Sequence, residues 1–307
     1  MNKKGTHTYL EDLRNEKILI YVNGEYYPRE DAKVSVFDSG FLLGDGVWEG
    51  IRFHNNKFVF IDEHIDRLYE GAKSLSIDIG HSKSDLIQIL FNLVEKNNMT
   101  SDVHVRLIVS RGLKKTPYQH PNANIGKSTI VIIPEYKIPD NSMFIKGIKL
   151  ASVNTIRSTP EILDPRINSL SKLNCILACI ESSNLNVDEG LMLDINGNVS
   201  TCNSTNFFII KNQEVITSRG NYCLNGVTRA KIIEICRDNN IPIIEKNFNL
   251  EDVYSADESF VTGTFAGVIP VTHIDDITLN SGRIGRLTKA LHSRYHALID
   301  GLYSEKQ

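Results

Sequence analysis

Residues 44–52 read Gly-Asp-Gly-Val-Trp-Glu-Gly-Ile-Arg, a pattern in which a turn opens directly into a strand. The two glycines around Asp45 break regular structure, and the run from Val47 to Phe53 is rich in β-branched and aromatic residues, which favours a strand. Asn55-Asn56 then turns the chain into a second apolar run at residues 58–60. This stretch predicts two strands joined by a tight turn.

The sequence on either side of residues 44–52 mixes hairpins with amphipathic helices. Asn23-Gly24, the strongest short turn signal, predicts a hairpin and its continuation within residues 18–37. Further along, apolar periodicity predicts helices and strands in the first half of the chain: helices over residues 62–76, with Asp62 as N-cap, and 83–97, and strands over 103–110 and 129–133.

The second half of the chain has the same mixture with different content. Pro139-Asp140-Asn141-Ser142 resembles a linker, so we expect the first α+β region to end near residue 140. The predicted elements beyond it are strands over 148–153, 191–194, 206–210 and 215–217 and helices over 171–184 and 228–236.

Composition narrows the class of protein. The chain has 307 residues, a net charge of −3 and a pI near 6.3, which argues against a nucleic-acid binder that needs a basic face. Apolar runs such as residues 130–133 are too short to span a bilayer, and the first residues lack the apolar core of a signal peptide. We therefore expect a soluble cytoplasmic protein without membrane partners.

The cysteines and histidines do not predict a metal site. The five cysteines are an odd number without a Cys-x-x-Cys pair, and Cys175 and Cys179 sit in an apolar run. His292 and His296 have helical ligand spacing but lack the glutamate of a His-Glu-x-x-His motif. We expect no metal, small buried cysteines, and the two histidines on a C-terminal helix.

Four stretches together resemble the class IV aminotransferases, the fold-type IV pyridoxal phosphate enzymes that include branched-chain and D-amino acid aminotransferases. The resemblance extends over roughly residues 18 to 275, and its strength is the order and spacing of the four. They are residues 44–52, Glu63-His64-Ile65-Asp66-Arg67-Leu68, Leu224-Asn225-Gly226-Val227-Thr228-Arg229 and Ala256-Asp257-Glu258-Ser259-Phe260-Val261-Thr262-Gly263-Thr264.

The resemblance implies an α+β fold of two domains. The smaller N-terminal domain covers residues 1–140 and the larger C-terminal domain residues 141–307, with the cofactor, pyridoxal 5'-phosphate (PLP), in the cleft between them. It also implies a homodimer that acts on a small amino or keto acid.

A phosphate needs a cation and inward-pointing N–H donors, and three of the four stretches can supply them. Arg67 matches the family's phosphate arginine. Gly226, Val227 and Thr228 precede or open a predicted helix, so their N–H groups lie at its positive end. Gly263-Thr264 completes the implied cradle at a strand end.

The position of the cofactor lysine departs from the family. A typical run reads Lys-Ser-Leu-Asn-Tyr-Leu-Asn before an apolar helix, whereas residues 168–174 read Asn-Ser-Leu-Ser-Lys-Leu-Asn. Asn168, which cannot form an imine, stands where the lysine is expected, and Lys172 follows four positions later. One helical turn rises about 5.4 Å, which a long side chain could partly compensate. A lysine at an apolar helix start is also costly without a task.

Three interpretations of this departure stay open. The imine lysine is relocated to Lys172, the lysine is lost, or the alignment is displaced. A snorkelling or exposed Lys172 without a catalytic role is the plain alternative to the first.

The partner of the pyridine nitrogen departs as well. In the family a glutamate lies in a Val-x-Glu-Gly run, whereas residues 199–202 read Val-Ser-Thr-Cys, so Thr201 replaces it. A carboxylate keeps the ring protonated, and a neutral hydroxyl gives a hydrogen bond worth about 1 kcal/mol. This change disfavours standard transamination.

The resemblance implies four residues near the substrate. Arg106 matches an arginine that the family often uses near substrate, although a salt bridge explains it equally well. His104 lies two residues away on the same strand face, and Leu43 and Trp48 are expected as apolar walls.

Two classes of function follow. The first is a PLP-dependent aminotransferase-like enzyme acting on an amino acid or amine through Lys172, with a PLP lyase or racemase as its variant. The second is a catalytically degenerate aminotransferase-like binding protein, suggested by the missing lysine and glutamate.

Overall fold

The computed structural model describes residues 5–304, with side chains described to residue 301. The chain forms two compact units. The N-terminal unit comprises residues 10–138 and 167–172, and the C-terminal unit comprises residues 5–9, 139–166 and 173–304. Segment 167–172 thus belongs to the N-terminal unit although it follows residue 140 in sequence.

The N-terminal unit contains an antiparallel sheet with strand order β2-β1-β8-β5-β3-β4 and two long helices, α2 and α3. Its elements in chain order are β1 (Leu19–Val22), β2 (Glu25–Pro28), α1 (Ser39–Leu43), β3 (Gly46–His54), β4 (Lys57–Phe58), α2 (Ile61–Ser74), α3 (Lys83–Lys96), β5 (Val103–Ser110), β6 (Leu113–Lys114), β7 (Asn124–Ile125) and β8 (Thr129–Tyr136).

Alternation along the strands decides which face of this sheet is buried. On β5, Val103, Val105 and Leu107 are buried and the residues between them are only partly covered. The apolar stripe of α3, with Leu86 and Leu90 fully buried, packs into the same core. Burial of each such side chain contributes about 1.5–3 kcal/mol, so the stripe fixes how the helix lies on the sheet.

The predictions for this unit are confirmed for the first hairpin, for both helices and for the strands of residues 44–52, 103–110 and 129–133. The expected strand continuation at residues 34–37 is wrong. Asp38 N donates to Ser35 O and Phe37 N to Ser35 Oγ, at 3.0 and 3.1 Å, and this turn replaces extended pairing. The expected N-cap Asp62 lies instead in the first turn, because α2 begins at Ile61 with Phe60 as its cap.

The C-terminal unit contains a mixed sheet with the order β11-β10-β9-β16-β15-β12-β13-β14, and β17 pairs with β16. Its elements are α4 (Ser142–Lys146), β9 (Ile148–Ser152), α5 (Pro160–Leu163), α6 (Leu173–Asn184), β10 (Glu189–Leu193), β11 (Val199–Cys202), β12 (Asn206–Lys211), β13 (Glu214–Thr217), α7 (Val227–Asp238), β14 (Ile243–Glu245), α8 (Leu250–Tyr254), β15 (Glu258–Gly263), β16 (Gly267–Ile274), β17 (Ile277–Thr278) and α9 (Arg286–Ser304).

Helix α6 carries its apolar stripe on an exposed face. Leu173, Ile176, Leu177 and Ile180 are between 48% and 73% exposed, whereas Ala178 on the opposite side is fully buried. The expectation of buried cysteines is wrong on this helix, since Cys179 is exposed and Cys175 partly so; the other three cysteines are buried. The helix packs on the sheet through small residues, which turns the larger ones outward.

The described part of the chain has neither a helix that could span a membrane nor a cluster of metal-ligating side chains. Within residues 5–304 no helix is both long and apolar enough to cross a bilayer. Among the side chains described up to residue 301, no three His, Cys, Asp or Glu gather as a metal site requires.

Candidate active site

The segment that carries Asn168 and Lys172 is held along the start of β3. Trp48 N donates to Asn168 O at 3.0 Å, and Leu170 N donates to Gly46 O at 2.9 Å. The segment is therefore extended, because α6 begins only at Leu173. The sequence predicted a helical turn between residues 168 and 172. Residues 168–170 instead pair with the start of β3 in a short strand-like arrangement.

The Lys172 ammonium points back toward residue 168. Its Nζ donates to Asn168 Oδ1 at 3.0 Å and lies 5.2 Å from the centre of the Trp48 ring. Asn168 is buried, and Lys172 is partly exposed. The long lysine side chain thus brings its amine to the end of the shorter Asn168 side chain.

Arg106 lies on the same indole ring as Lys172. Its guanidinium carbon is 3.7 Å from the centre of the Trp48 ring. Burial lowers the pKa of Arg106, against the opposing charges of Glu135 and Glu49. A guanidinium so close to an aromatic face is held by a cation–π contact. Arg106 and the Lys172 amine are therefore brought together around Trp48.

The two other residues expected near the substrate are placed in the same unit. His104 pairs in register with Arg52, and Gly50 leaves room for its ring, since a Cβ on Gly50 would lie 2.9 Å from His104 Nε2. Leu43 ends α1 and is 45% exposed, and the following carbonyl, of Gly44, accepts from Ser171 Oγ at 3.1 Å. Leu43 therefore directly precedes the residue whose carbonyl is bonded by Ser171 of the lysine segment.

Arg67 is fixed by a glutamate that the sequence analysis did not single out. Its Nε and Nη2 each lie 2.7 Å from a carboxylate oxygen of Glu49, and His64 Nδ1 lies 2.7 Å from the same carboxylate. Burial raises the pKa of Glu49, but the Arg67 charge and the hydrogen bonds from His64 and Arg67 outweigh it and bring it to about 2. A carboxylate between apolar residues on a strand was the available signal.

The start of α7 offers backbone donors without a side-chain cap. Gly226 is its N-cap and has no side chain of its own to bond the first-turn N–H groups, which lack partners within the helix. Glycine is required here because a Cβ would lie 2.2 Å from Asn206 Oδ1. Thr228 Oγ1 lies 3.3 Å from the hydroxyl of the buried Tyr295 on α9. Val227 and Thr228 thus present N–H groups and a hydroxyl at a positive helix end.

The end of β15 has an unsatisfied hydroxyl. Thr262 is 1% exposed, and its Oγ1 has no hydrogen-bond partner. Gly263 and Thr264 follow it and are less buried. Buried hydroxyls normally have a hydrogen-bond partner. The unpartnered Thr262 hydroxyl among the described residues therefore fits a strand end that binds a polar ligand. The donor set of α7 and β15 fits the phosphate of PLP.

Thr201 on β11 already uses its hydroxyl proton within the chain. Its Oγ1 donates to Thr205 O at 2.8 Å, and Thr205 Oγ1 donates to Glu189 Oε2 at 2.6 Å. Glu189 is 1% exposed and also accepts from Thr6 and Ser204. Thr201 therefore offers lone pairs, and its proton only after rotation, to any group that approaches it.

Comparison with known proteins identifies the family. The family model described as amino-transferase class IV matches residues 46–274, which include every predicted site residue except Leu43. This chain belongs to the class IV aminotransferases. A putative branched-chain-amino-acid aminotransferase of Methanocaldococcus jannaschii is 38% identical over 90% of this chain and 94% of its own.

Other class IV aminotransferases are similar over most of this chain. Branched-chain-amino-acid aminotransferase-like protein 2 of Arabidopsis thaliana is 39% identical over 94% of the chain, and a D-alanine aminotransferase of Listeria monocytogenes is 34% identical over 90% of this chain and 94% of its own. The chain spans about half the length, 51%, of the Arabidopsis relative.

Solved structures agree on the fold, as the resemblance predicted. The branched-chain amino acid aminotransferase of Escherichia coli superposes with a TM-score of 0.85 at 28% identity, covering 94% of this chain and 97% of that one. A T.th. branched-chain amino acid aminotransferase with pyridoxamine 5'-phosphate gives 0.87 at 26% identity, covering 93% and 95%. The expected α+β class IV fold is confirmed, and the family is PLP-dependent.

Proposed function

We propose that this class IV aminotransferase is a PLP-dependent enzyme that moves an amino group between an amino acid and a 2-oxo acid, with Lys172 as the residue that binds the cofactor covalently. The observation that carries the proposal is the position of the Lys172 amine, 3.0 Å from Asn168 Oδ1. An amine held at the tip of residue 168 reaches the place that the family's lysine serves, although it starts four residues later.

The residues proposed to hold the cofactor phosphate are backbone and hydroxyl donors of the C-terminal unit, together with Arg67 of the N-terminal unit. Because Glu49 binds two nitrogens of Arg67, the guanidinium is oriented before any ligand arrives. The proposed donors are Gly226, Val227, Thr228, Gly263, Thr264 and Arg67. The two-domain arrangement, with the cofactor between the domains, stays part of this proposal.

Bound PLP supplies an aldehyde for the amino group and a ring that withdraws electrons from the carbon being deprotonated. Lys172 would have two tasks: its nitrogen would hold the cofactor, and its amine would carry a proton to or from the substrate. Asn168 Oδ1 accepts from the same nitrogen, so the amine stays oriented while it changes partners.

Arg106 is proposed to bind the substrate carboxylate. Its guanidinium carbon lies 3.7 Å from the centre of the Trp48 ring, and the N–H groups of the planar guanidinium are suited to bind a carboxylate in a bidentate way. His104 and Leu43 are proposed to line the same region. The branched-chain and D-alanine names of the relatives suggest a small aliphatic amino acid.

A lyase or racemase of the same fold is the second candidate, and Thr201 favours it. A hydroxyl whose proton is committed to Thr205 O gives the ring nitrogen no countercharge, so the ring withdraws electrons less strongly than with a carboxylate. Product analysis with one amino acid and one 2-oxo acid separates the reactions: amino transfer yields the exchanged pair, whereas elimination or racemisation does not.

The covalent assignment is tested by absorbance, borohydride reduction and peptide mass analysis of the purified protein with PLP. We expect a yellow protein with the reduced cofactor on Lys172, and a colourless Lys172→Ala protein. Attachment to any other lysine, such as the buried Lys114, contradicts the assignment. Lys115→Ala, beside Lys114, is a control that should keep its colour.

A catalytically degenerate binding protein gives a different result in the same samples. Trp48 is the only tryptophan of the chain, and it lies 5.2 Å from the Lys172 amine, so its fluorescence reports a cofactor bound there. Quenching by PLP without any reducible attachment would support binding without catalysis. Quenching with attachment and amino transfer supports the enzyme.

A homodimer completes the proposal, and the exposed stripe of α6 is its proposed contact. Four large apolar side chains at helical spacing form a patch that a monomer surface rarely carries. Light scattering is expected to give a dimer for the wild type and a monomer for Leu177→Glu. Ser183→Glu, exposed on the same helix, is expected to stay dimeric; equal masses for all three proteins would rule out this contact.

A further inference from the structure

Arg157 is a buried cation that the proposed function does not use. It follows β9 in the C-terminal unit, and its backbone is fixed by a 2.8 Å bond from its N–H to Leu193 O. The side chain is 9% exposed. Its Nη1 contacts Asn174 Oδ1 at 3.3 Å and Cys175 Sγ at 2.8 Å, both at the beginning of α6.

The charge of this guanidinium is not balanced by the chain. Among the side chains described up to residue 301, no carboxylate lies within 4 Å of it, and its Nε is buried without a hydrogen-bond partner. Arg229 is similarly buried at 5% exposure, but it reaches Glu245 at 2.8 Å and Ser218 O at 2.6 Å. The Nε of Arg229 likewise has no partner among the described residues, so the difference is the carboxylate that Arg229 has and Arg157 lacks. Burying a charge without such a partner is unfavourable.

The charge of the Arg157 guanidinium also acts on Cys223, which lies three residues before Gly226 in the chain. Burial raises the pKa of the Cys223 thiol, and the charges of Arg229 and Arg157 oppose that rise. Cys223 Sγ lies 3.7 Å from Asn206 Nδ2, and Asn206 Oδ1 is the atom that a Cβ on Gly226 would meet. Arg157 therefore adds positive charge to the surroundings of Cys223, and Cys223 contacts the asparagine that lies against the N-cap of α7.

We propose that Arg157 binds an oxyanion that enters with the reactants, and this inference rests on the proposed function. The missing countercharge must be negative and small, because Arg157 is nine-tenths buried. A carboxylate, or a deprotonated hydroxyl on an aromatic ring, is both negative and small. The group belongs either to the cofactor or to the amino or 2-oxo acid, and the chemistry of recognition is the same: a charge-assisted hydrogen bond from the guanidinium.

The test compares Arg157→Met with Arg219→Met, an exposed arginine of the same unit whose removal changes the net charge equally. Trp48 fluorescence gives the Kd of PLP for the apoprotein, and calorimetry gives the Kd of pyruvate for the apoprotein and the PLP-loaded protein. If the oxyanion belongs to the cofactor, the PLP Kd rises roughly tenfold to hundredfold in Arg157→Met. If it belongs to the substrate, the pyruvate Kd rises by that factor instead.

Thermal unfolding of the apoprotein separates binding from a structural role. Removal of an unpaired buried charge is expected to leave the melting temperature of Arg157→Met unchanged or higher, whereas a structural arginine would lower it. Arg157→Lys keeps the charge and is expected to retain most of the affinity. Should Arg157→Met not fold, Arg157→Lys and Arg157→Gln carry the same comparison.

Two results overturn the inference: both dissociation constants within twofold of those of Arg219→Met, or a lower melting temperature with unchanged binding. Failure of the proposed function looks different. In that case wild-type protein forms no covalent link with PLP, yet the pyruvate titration of the apoprotein still decides whether Arg157 binds an oxyanion.

Discussion

The two ends of the proposed cofactor site depart from the family to different degrees. The proposed phosphate end, at the start of α7 and the end of β15, has the residue types that the resemblance implies, and its glycine is fixed by Asn206. The amine end, at residues 168–172, differs at both of its characteristic positions. Backbone N–H donors tolerate few changes because a helix start must supply them, whereas one amine can be delivered from more than one position along an extended segment.

A reactive group on a long side chain can reach the same place from different positions in the sequence. Lys172 has four methylene groups between its backbone and its amine, and the segment before α6 is extended, so the amine can swing back to residue 168. A phosphate donor made by the backbone has no such reach.

Exchanging the two altered positions has the largest expected effect. Lys172→Tyr should lose covalent attachment and at least about a thousandfold in turnover, because no amine remains at the site. Asn168→Lys/Lys172→Tyr should restore attachment at residue 168, as in a typical class IV sequence. Peptide mass analysis after borohydride reduction reads the position in each variant.

Two results would contradict the idea that Lys172 takes over from a lysine at residue 168. One is covalent binding of the cofactor by Lys172→Tyr, and the other is a double variant that binds PLP with wild-type affinity but is never modified at residue 168. The first result would place the amine elsewhere, and the second would show that residue 168 does not face the aldehyde.

The Glu49–Arg67 pair should have the next largest effect, and it depends on pH. The folded-state pKa of Glu49, about 2, lies below its ordinary 4.5, so the pair stabilises the fold above pH 4.5 and loses that contribution as the pH falls toward 2. Glu49→Gln should lower the free energy of unfolding by about 3 kcal/mol at pH 7.

Urea unfolding of wild type and Glu49→Gln across this pH range checks the prediction, with Glu70→Gln, at an exposed position on the helix that carries Arg67, as control. Glu70→Gln should stay within about 0.5 kcal/mol of the wild type. A constant difference between Glu49→Gln and wild type down to pH 2 would contradict the ionic origin of the effect.

The smallest effect tests the phosphate end. Thr228→Val removes one hydroxyl and leaves the backbone N–H, so the Kd of PLP should rise about tenfold. Thr278→Val, the same change at an exposed position of the same unit, should leave it unaltered. An unchanged Kd in Thr228→Val would leave the phosphate to backbone donors alone.

Local patterns predicted most elements because the deciding interactions are short in range. The Asn23-Gly24 turn, the stripes of α2 and α3 and the alternation of β5 each need only neighbours within the same element. The prediction went wrong at residues 34–37, where Ser35 forms a turn, and at α6, where periodicity alone does not tell a core face from an exposed one.

The site was predictable in its residue types and less so in its contacts. Arg67, Gly226 and Thr228 stay predictions drawn from the family's motifs, whereas Glu49 and Arg157 were not singled out at all. Their importance lies in partners distant in sequence: Glu49 meets Arg67 from another element, and Arg157 is notable because no described carboxylate lies beside it. Sequence spacing carries no information about either.

Residue identity and local periodicity were enough to predict the family and most of the strands and helices, because both depend on short-range pattern. That Asn168 and Thr201 stand where relatives have a lysine and a glutamate stays a prediction from the same sequence. Three facts became visible only in the folded chain. The Lys172 amine turns back to Asn168, and the Thr201 hydroxyl donates a hydrogen bond to Thr205 O. The Arg157 guanidinium is buried, and its Nε has no hydrogen-bond partner among the described residues. Those facts depend on side-chain direction and on burial, which arise when segments far apart in the chain pack together.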